Sequence, residues 1–202
     1  MIDKLDAVNY CLSILGSTPV GSLEDSLHPD ADICLTRINE ALLTIQKEGW
    51  WFNTEVNWAL TPDANKDIDL PANTIKVLGI QGEFVIQRGI KLYDSINNTY
   101  QFDNAVTVNL IVNLDWDLLP FSVQESAKYL AAQRVCEIDL EDHIKASGEE
   151  KQFTASYIQL KKEDLQIEQR NALRSPKAML TRSGVKPYRL RTQGTNPNFA
   201  GG

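Results

Sequence analysis

The spacing of apolar residues changes twice along this chain of 202 residues, from helical to strand period near Gly49 and back to helical after Pro120. Residues recurring every three or four positions share one face of a helix, whereas residues recurring every second position share one face of a strand. The chain is therefore expected to be α+β, with a continuous β block set between two helical stretches.

The first helical stretch reads as two helices. Residues 3–15 carry Leu5, Val8, Leu12 and Leu15 on one stripe, with Asp3 placed to cap the start and Gly16 to end it. A turn-rich connector containing Pro19 and Gly21 follows. The second helix is expected from Pro29, a favoured first-turn residue, to Glu48, with Cys34, Ile38, Ala41, Leu42 and Ile45 at helical spacing and Gly49 as its terminator.

Between Trp50 and Val112 the runs EVNWALTP, TIKVLGI, EFVIQRG, KLYDS, TYQF and AVTVNLIV are each of strand length and separated by turn formers. Val106, Val108 and Leu110 should face one way, and Thr107 and Asn109 the other. Five to seven antiparallel strands closing into a small sandwich or barrel are expected. After Pro120, Ser122 and Glu125 have capping-box spacing, and a third helix should run to about Lys145 before Ser147-Gly148 breaks it. A fourth helix is expected over roughly 149–172, with Phe153, Tyr157, Leu160 and Ile167 on one stripe.

Residues 1–49 and 120–172 thus read as a four-helix bundle, residues 50–119 as an inserted antiparallel β domain, and residues 173–202 as an extended basic C-terminal arm. The arm lacks periodicity and acids, and should order only against a partner.

Charge sharpens that division. All 27 acidic residues precede Gln169 together with 13 of the 20 basic ones, so the first 168 residues carry −14 and the last 34 carry +7. An acidic body with a basic tail is a chain made to meet something. No apolar run approaches the roughly 20 residues that a membrane span requires. The N-terminus has two acids before Ala7 and no continuous apolar stretch, which suits a mature, cytoplasmically made protein better than a signal peptide. Cys11, Cys34 and Cys136 lie far apart in apolar helical patterns and read as buried small hydrophobes without a disulfide framework.

Three stretches carry a resemblance. In AVNYCLSILGSTPVGSLEDSLHPDADIC a helix ends in Leu-Gly and leads through a Pro-Val turn into an Asp-rich helix entry. In INEALLTIQKEGWWFNTE a helix ends in Gly-Trp before an aromatic-Phe-Asn segment opens the β block. In VNLIVNLDWDLLPFSVQESAKYLAAQRV the last strand passes through an acidic-aromatic turn and Leu-Pro into the third helix. Together, over about residues 5–170, these resemble the tail tubular protein A family of short-tailed bacteriophages, the head-to-tail adaptor. The resemblance implies a homo-oligomeric ring, a dodecamer in the family, beneath the capsid portal protein. The tail nozzle, tail tubular protein B, would attach on the other side, and DNA would pass through the lumen without specific binding. It also implies a place in the virion tail after assembly in the host cytoplasm, and a structural protein rather than an enzyme.

Catalytic chemistry finds little to use. His28 sits in a loop beside Pro29, and Asp139 with His143, four apart, offers two metal ligands where a closed site needs more. No cofactor, metal or nucleophile motif is present. Asp115 and Asp117 around Trp116 are the best candidates for a paired-carboxylate glycan hydrolase of the tail, the alternative function, and an ordinary acidic turn explains them better.

Two groups of residues remain as candidate contact sites. Trp50, Trp51, Phe52 and Trp58 fall where helix gives way to strand and suit a buried domain hinge better than an exposed stacking platform. In the arm, Met179, Leu180, Tyr188 and Leu190 supply apolar anchors among Arg174, Lys177, Arg182, Lys186, Arg189 and Arg191. Such a mixture favours a protein partner, the portal or a neighbouring subunit, over a free DNA-binding arm, and an acidic body would repel DNA.

Overall fold

Helix α1, Lys4–Leu15, is set at both ends by local chemistry. A carboxylate oxygen of Asp3 accepts the N–H of Leu5 at 3.1 Å, and Gly16 leaves the helix at φ 78°, a left-handed turn that glycine adopts without a Cβ penalty. The structure, a computed structural model, describes residues 1–24, 28–80 and 84–174. Met1–Leu165 form one compact unit. The other, Gln166–Gly202, is described only over the C-terminal end of the last helix.

Helix α2, Pro29–Gln46, starts with proline in its first turn and buries Ala31, Cys34, Ile38, Ala41, Leu42 and Ile45 along one face. It stops two residues short of the expected Glu48, and Gly49 follows at φ 80°. A Cβ on Gly49 would lie 2.5 Å from Cδ1 of Ile111, so this position needs glycine for space as well as for conformation.

Among the described residues the β block holds five strands: β1 Thr54–Leu60, β2 Thr74–Gly79, β3 Val85–Arg88, β4 Lys91–Asp94 and β5 Val106–Val112. β5 lies between β1 and β2 in an antiparallel three-stranded sheet, and β3 and β4 form a separate antiparallel pair. Val106, Val108 and Leu110 are buried, and Thr107 and Asn109 half-buried, as the alternation requires. TYQF forms only isolated bridges, Asp94 with Thr99 and Asp67 with Gln101. Among the described residues the sheets do not close into a barrel. The outer side of β4 is covered by loop backbone, with the Leu70 N–H donating to Ile90 O at 2.8 Å and the Leu92 N–H to Ile68 O at 3.0 Å.

Helix α3, Phe121–Arg134, departs from the expected cap. Pro120 occupies the N-cap position, and Ser122 lies inside the helix, where its hydroxyl donates to Oε2 of Glu163 at 2.6 Å. No capping box with Glu125 forms. A π-helical turn, Val135–Asp139, follows, and helix α4 spans His143–Arg174. The break therefore falls at residues 140–142, not at Ser147-Gly148. Oδ1 of Asp142 accepts the N–H groups of Ile144 and Lys145 at 3.1 and 3.0 Å, starting α4 six residues early. Gly148 passes through the helix with open space where a Cβ would stand, at a cost of only about 1 kcal/mol.

Two cores result. One gathers α1, α2 and α3 with Leu160 of α4, Trp50 and Trp116. The other is built by Leu60, Ile68, Leu70, Leu92, Phe102 and the inward residues of β5. Leu114 packs against both. Cys11, Cys34 and Cys136 are buried free thiols.

Candidate interaction surfaces and the helix-to-sheet joint

The passage from α2 into β1 is fastened by buried carboxamides. Asn53 accepts the Trp50 N–H at 2.8 Å and donates to Gln46 O and Val112 O, both at 2.9 Å. Gln46 donates through Nε2 to Asn113 Oδ1 at 3.0 Å and to Leu114 O at 3.1 Å, and its Oε1 accepts the Leu114 N–H at 2.8 Å. Each carboxamide pairs with peptide groups at a chain reversal that no helix or sheet ladder can satisfy.

The aromatic residues at this joint differ in burial. Trp50 is buried, donates through Nε1 to Ile45 O at 2.7 Å, and meets Tyr157 edge to face with ring centroids 5.7 Å apart. Trp51 and Phe52 are half-buried against the helical core and stack edge to face at 5.2 Å. Trp58 lies on β1 and is 44% exposed, in neither core. Beside Trp50, residues Glu48, Gly49, Lys161, Asp164 and Leu165 line an open cleft of about 250 Å³.

Helix α4 turns three acids inward. Glu149 accepts from the Tyr10 hydroxyl at 3.0 Å, Glu163 from Ser122, and Asp164 from the Trp51 N–H at 3.3 Å. Burial and then Glu149 push the Tyr10 phenol well above its ordinary range, and burial and then Glu48 do the same for Tyr157. Arg37 is held by both oxygens of Asp139, at 2.9 and 3.0 Å, and by Glu40 at 3.2 Å.

The groups considered for chemistry are not assembled. Asp139 belongs to the π-helical turn and pairs with Arg37, while His143 opens the next helix, so the two do not share one helical face. Asp115 and Asp117 flank buried Trp116, both exposed, on a single 3₁₀ turn. Trp116 donates through Nε1 to Ile2 O at 2.7 Å, and Gln124 accepts the Ile2 N–H at 2.9 Å, which gives this turn a packing role. Among the described residues no three His, Cys, Asp or Glu side chains are grouped to hold a metal, and no helix is long and apolar enough to cross a membrane.

Lys177, Met179, Leu180, Arg182, Lys186, Tyr188, Arg189, Leu190 and Arg191 lie outside the described residues, and Arg174 ends α4. Two features escaped the sequence reading. The buried carboxamides Gln46 and Gln124 sit at helical positions that periodicity assigns to apolar side chains, and Asn53 is buried in the turn before β1. Around the β3–β4 hairpin, Phe84, Ile86, Ile90 and Ile96 are exposed, and the Arg88 guanidinium stacks 3.5 Å above the Tyr93 ring.

The chain is similar to tail tubular protein A of Klebsiella phage KP34, with 28% identity over 141 residues that cover 69% of this chain and 73% of that protein. A family model described as tail tubular protein matches residues 5–178, which takes in both helical stretches and the whole β block. By that match the chain belongs to the tail tubular protein family.

Proposed function

We propose that this protein is the head-to-tail adaptor of a short-tailed phage, a ring that joins the capsid portal to the tail nozzle and lets DNA pass. The family match over residues 5–178 carries the reading, and makes the chain a structural component of a phage tail and hence of the virion. Residues 1–49 and 120–172, packed as a four-helix bundle, form the ring wall. Residues 50–119, with the two sheets facing each other as a sandwich, stand off it, and Trp50, Trp51 and Phe52 mark the hinge. The ring is a dodecamer assembled in the host cytoplasm, and its lumen benefits from a body that carries −14 and repels DNA.

The C-terminal segment is the strap to the portal. The six basic residues of 173–202, without an acid, and the anchors Met179, Leu180, Tyr188 and Leu190, fit an acidic protein surface with apolar pockets. Electron microscopy of the full chain with and without its portal tests the reading. Rings, free or dependent on portal, are expected. A chain that stays monomeric beside portal and instead shifts labelled DNA at physiological salt overturns it. Unchanged portal binding after deletion of residues 176–202 removes the strap while leaving the ring.

A further inference from the structure

Two helices of the compact unit present exposed faces of opposite character. On α2 the residues pointing away from the core are Asp32, Ile33, Thr36, Asn39, Glu40 and Leu43, with Ile33 39% and Leu43 49% exposed. Their positions fall within about 60° of one line along the helix, at 100° per residue. That stripe holds two acids and no base. Glu40 shares Arg37 with Asp139 and still leaves 47% of its side chain exposed.

On α4 the corresponding stripe runs through Lys151, Thr154, Ala155, Ile158, Lys162 and Leu165, all exposed, with Ile158 at 48% and Leu165 at 55%. It holds two bases and no acid, three acids of this helix being used inward. Glu149 is bound to Tyr10, Glu163 to Ser122 and Asp164 to the Trp51 N–H, while Glu150 stands about 100° from Lys151 around the axis. A helix face turned to solvent would ordinarily be polar; this stripe exposes Ile158 between its lysines and Leu165 just beyond Lys162.

We infer that the α2 face of one copy docks on the α4 face of the next. The occupant of each face is a second copy of this chain, because the two stripes complement each other in charge and each carries two exposed apolar residues beside its charges. Asp32 to Leu43 and Lys151 to Leu165 span about 17 and 21 Å at 1.5 Å per residue, so the stripes match in length. Neither stripe complements itself: α2 on α2 sets acid on acid, and α4 on α4 sets base on base. The contact is therefore heterologous, the kind that propagates head to tail and closes into a ring when the rotation permits. The inference rests on the ring reading above and names the surfaces that would close it.

Charge exchange tests it on the full chain by sedimentation velocity and electron microscopy. Lys151→Glu with Lys162→Glu makes both faces acidic, and Asp32→Lys with Glu40→Lys makes both basic. Each variant alone should associate about tenfold more weakly or worse. An equimolar mixture should regain association as alternating copies, and a chain carrying all four substitutions should regain it alone. A variant that merely failed to fold would not be rescued by mixing. Wild-type rings that survive both pairs of substitutions overturn the inference and leave the ring standing. So does loss of rings with no rescue in either the mixture or the fourfold variant. A wild-type chain that forms rings neither alone nor beside its portal overturns the inference together with the ring reading, and leaves family membership untouched.

Discussion

Gln46 and Leu114 bind each other reciprocally: Oε1 of the side chain accepts the Leu114 N–H at 2.8 Å, and Nε2 donates to the Leu114 carbonyl at 3.1 Å. A fully buried carboxamide thus substitutes for a missing strand partner where the chain leaves β5 for α3. Gln46→Leu keeps the volume and strands both peptide groups, so unfolding in urea should lose about 2–4 kcal/mol. Gln46→Glu should lose as much near neutral pH, where a buried carboxylate has no donor to offer Leu114 O, and recover partly in mild acid. A loss below about 0.5 kcal/mol in Gln46→Leu would mean that water reaches these groups.

Gly49 combines two demands that separate experimentally. Gly49→Ala should destabilise by about 1–3 kcal/mol, from the positive φ and from contact with the Ile111 side chain. Ile111→Val removes the Cδ1 atom that a new Cβ would meet. In the double variant the cost of Gly49→Ala should shrink without vanishing, leaving the backbone component. A cost identical in both backgrounds would show that Ile111 simply moves aside.

Local chemistry was legible in the sequence, and non-local recruitment was not. Asp3 and Gly16 fix the ends of α1 with partners two to four residues away, so their types and spacing suffice. Ser122 had the same credentials as a cap, but Pro120 takes that position and Glu163, 41 residues on, takes its hydroxyl. The alternation of β5 revealed which residues are buried, whereas the covering of β4 by the backbone of Ile68 and Leu70 leaves no pattern in side-chain type. Among the contact candidates, Trp50 and Trp58 share a residue type and a neighbourhood, yet one is buried and the other 44% exposed. Gln46 and Gln124 were invisible because a glutamine at an inward helical position looks like an interruption until its peptide partners are known.

The start of α4 offers two substitutions of opposite sign. Asp142→Ala removes the acceptor for the Ile144 and Lys145 N–H groups and should cost about 1 kcal/mol. Gly148→Ala meets open space inside the same helix and should gain about 0.5–1 kcal/mol. Urea midpoints measure both. A loss in Gly148→Ala would place a turn boundary there after all.

The buried phenols make stability depend on alkali. In the folded chain Tyr10 and Tyr157 ionise well above the ordinary phenol value, first because burial penalises the phenolate and then because the Glu149 and Glu48 carboxylates stand near the hydroxyls. The unfolded chain therefore releases those protons first as pH rises through about 10, and binding fewer protons when unfolded means that stability falls with pH in that window. Below it the contribution of both groups is fully present. Urea unfolding at successive pH values between about 9 and 11 should show a downward slope. Tyr10→Phe and Tyr157→Phe should each flatten it, since phenylalanine has no proton to lose, while lysine titration continues unchanged as the background. Equal slopes in wild type and in the double variant would mean that neither hydroxyl is held as the structure places it.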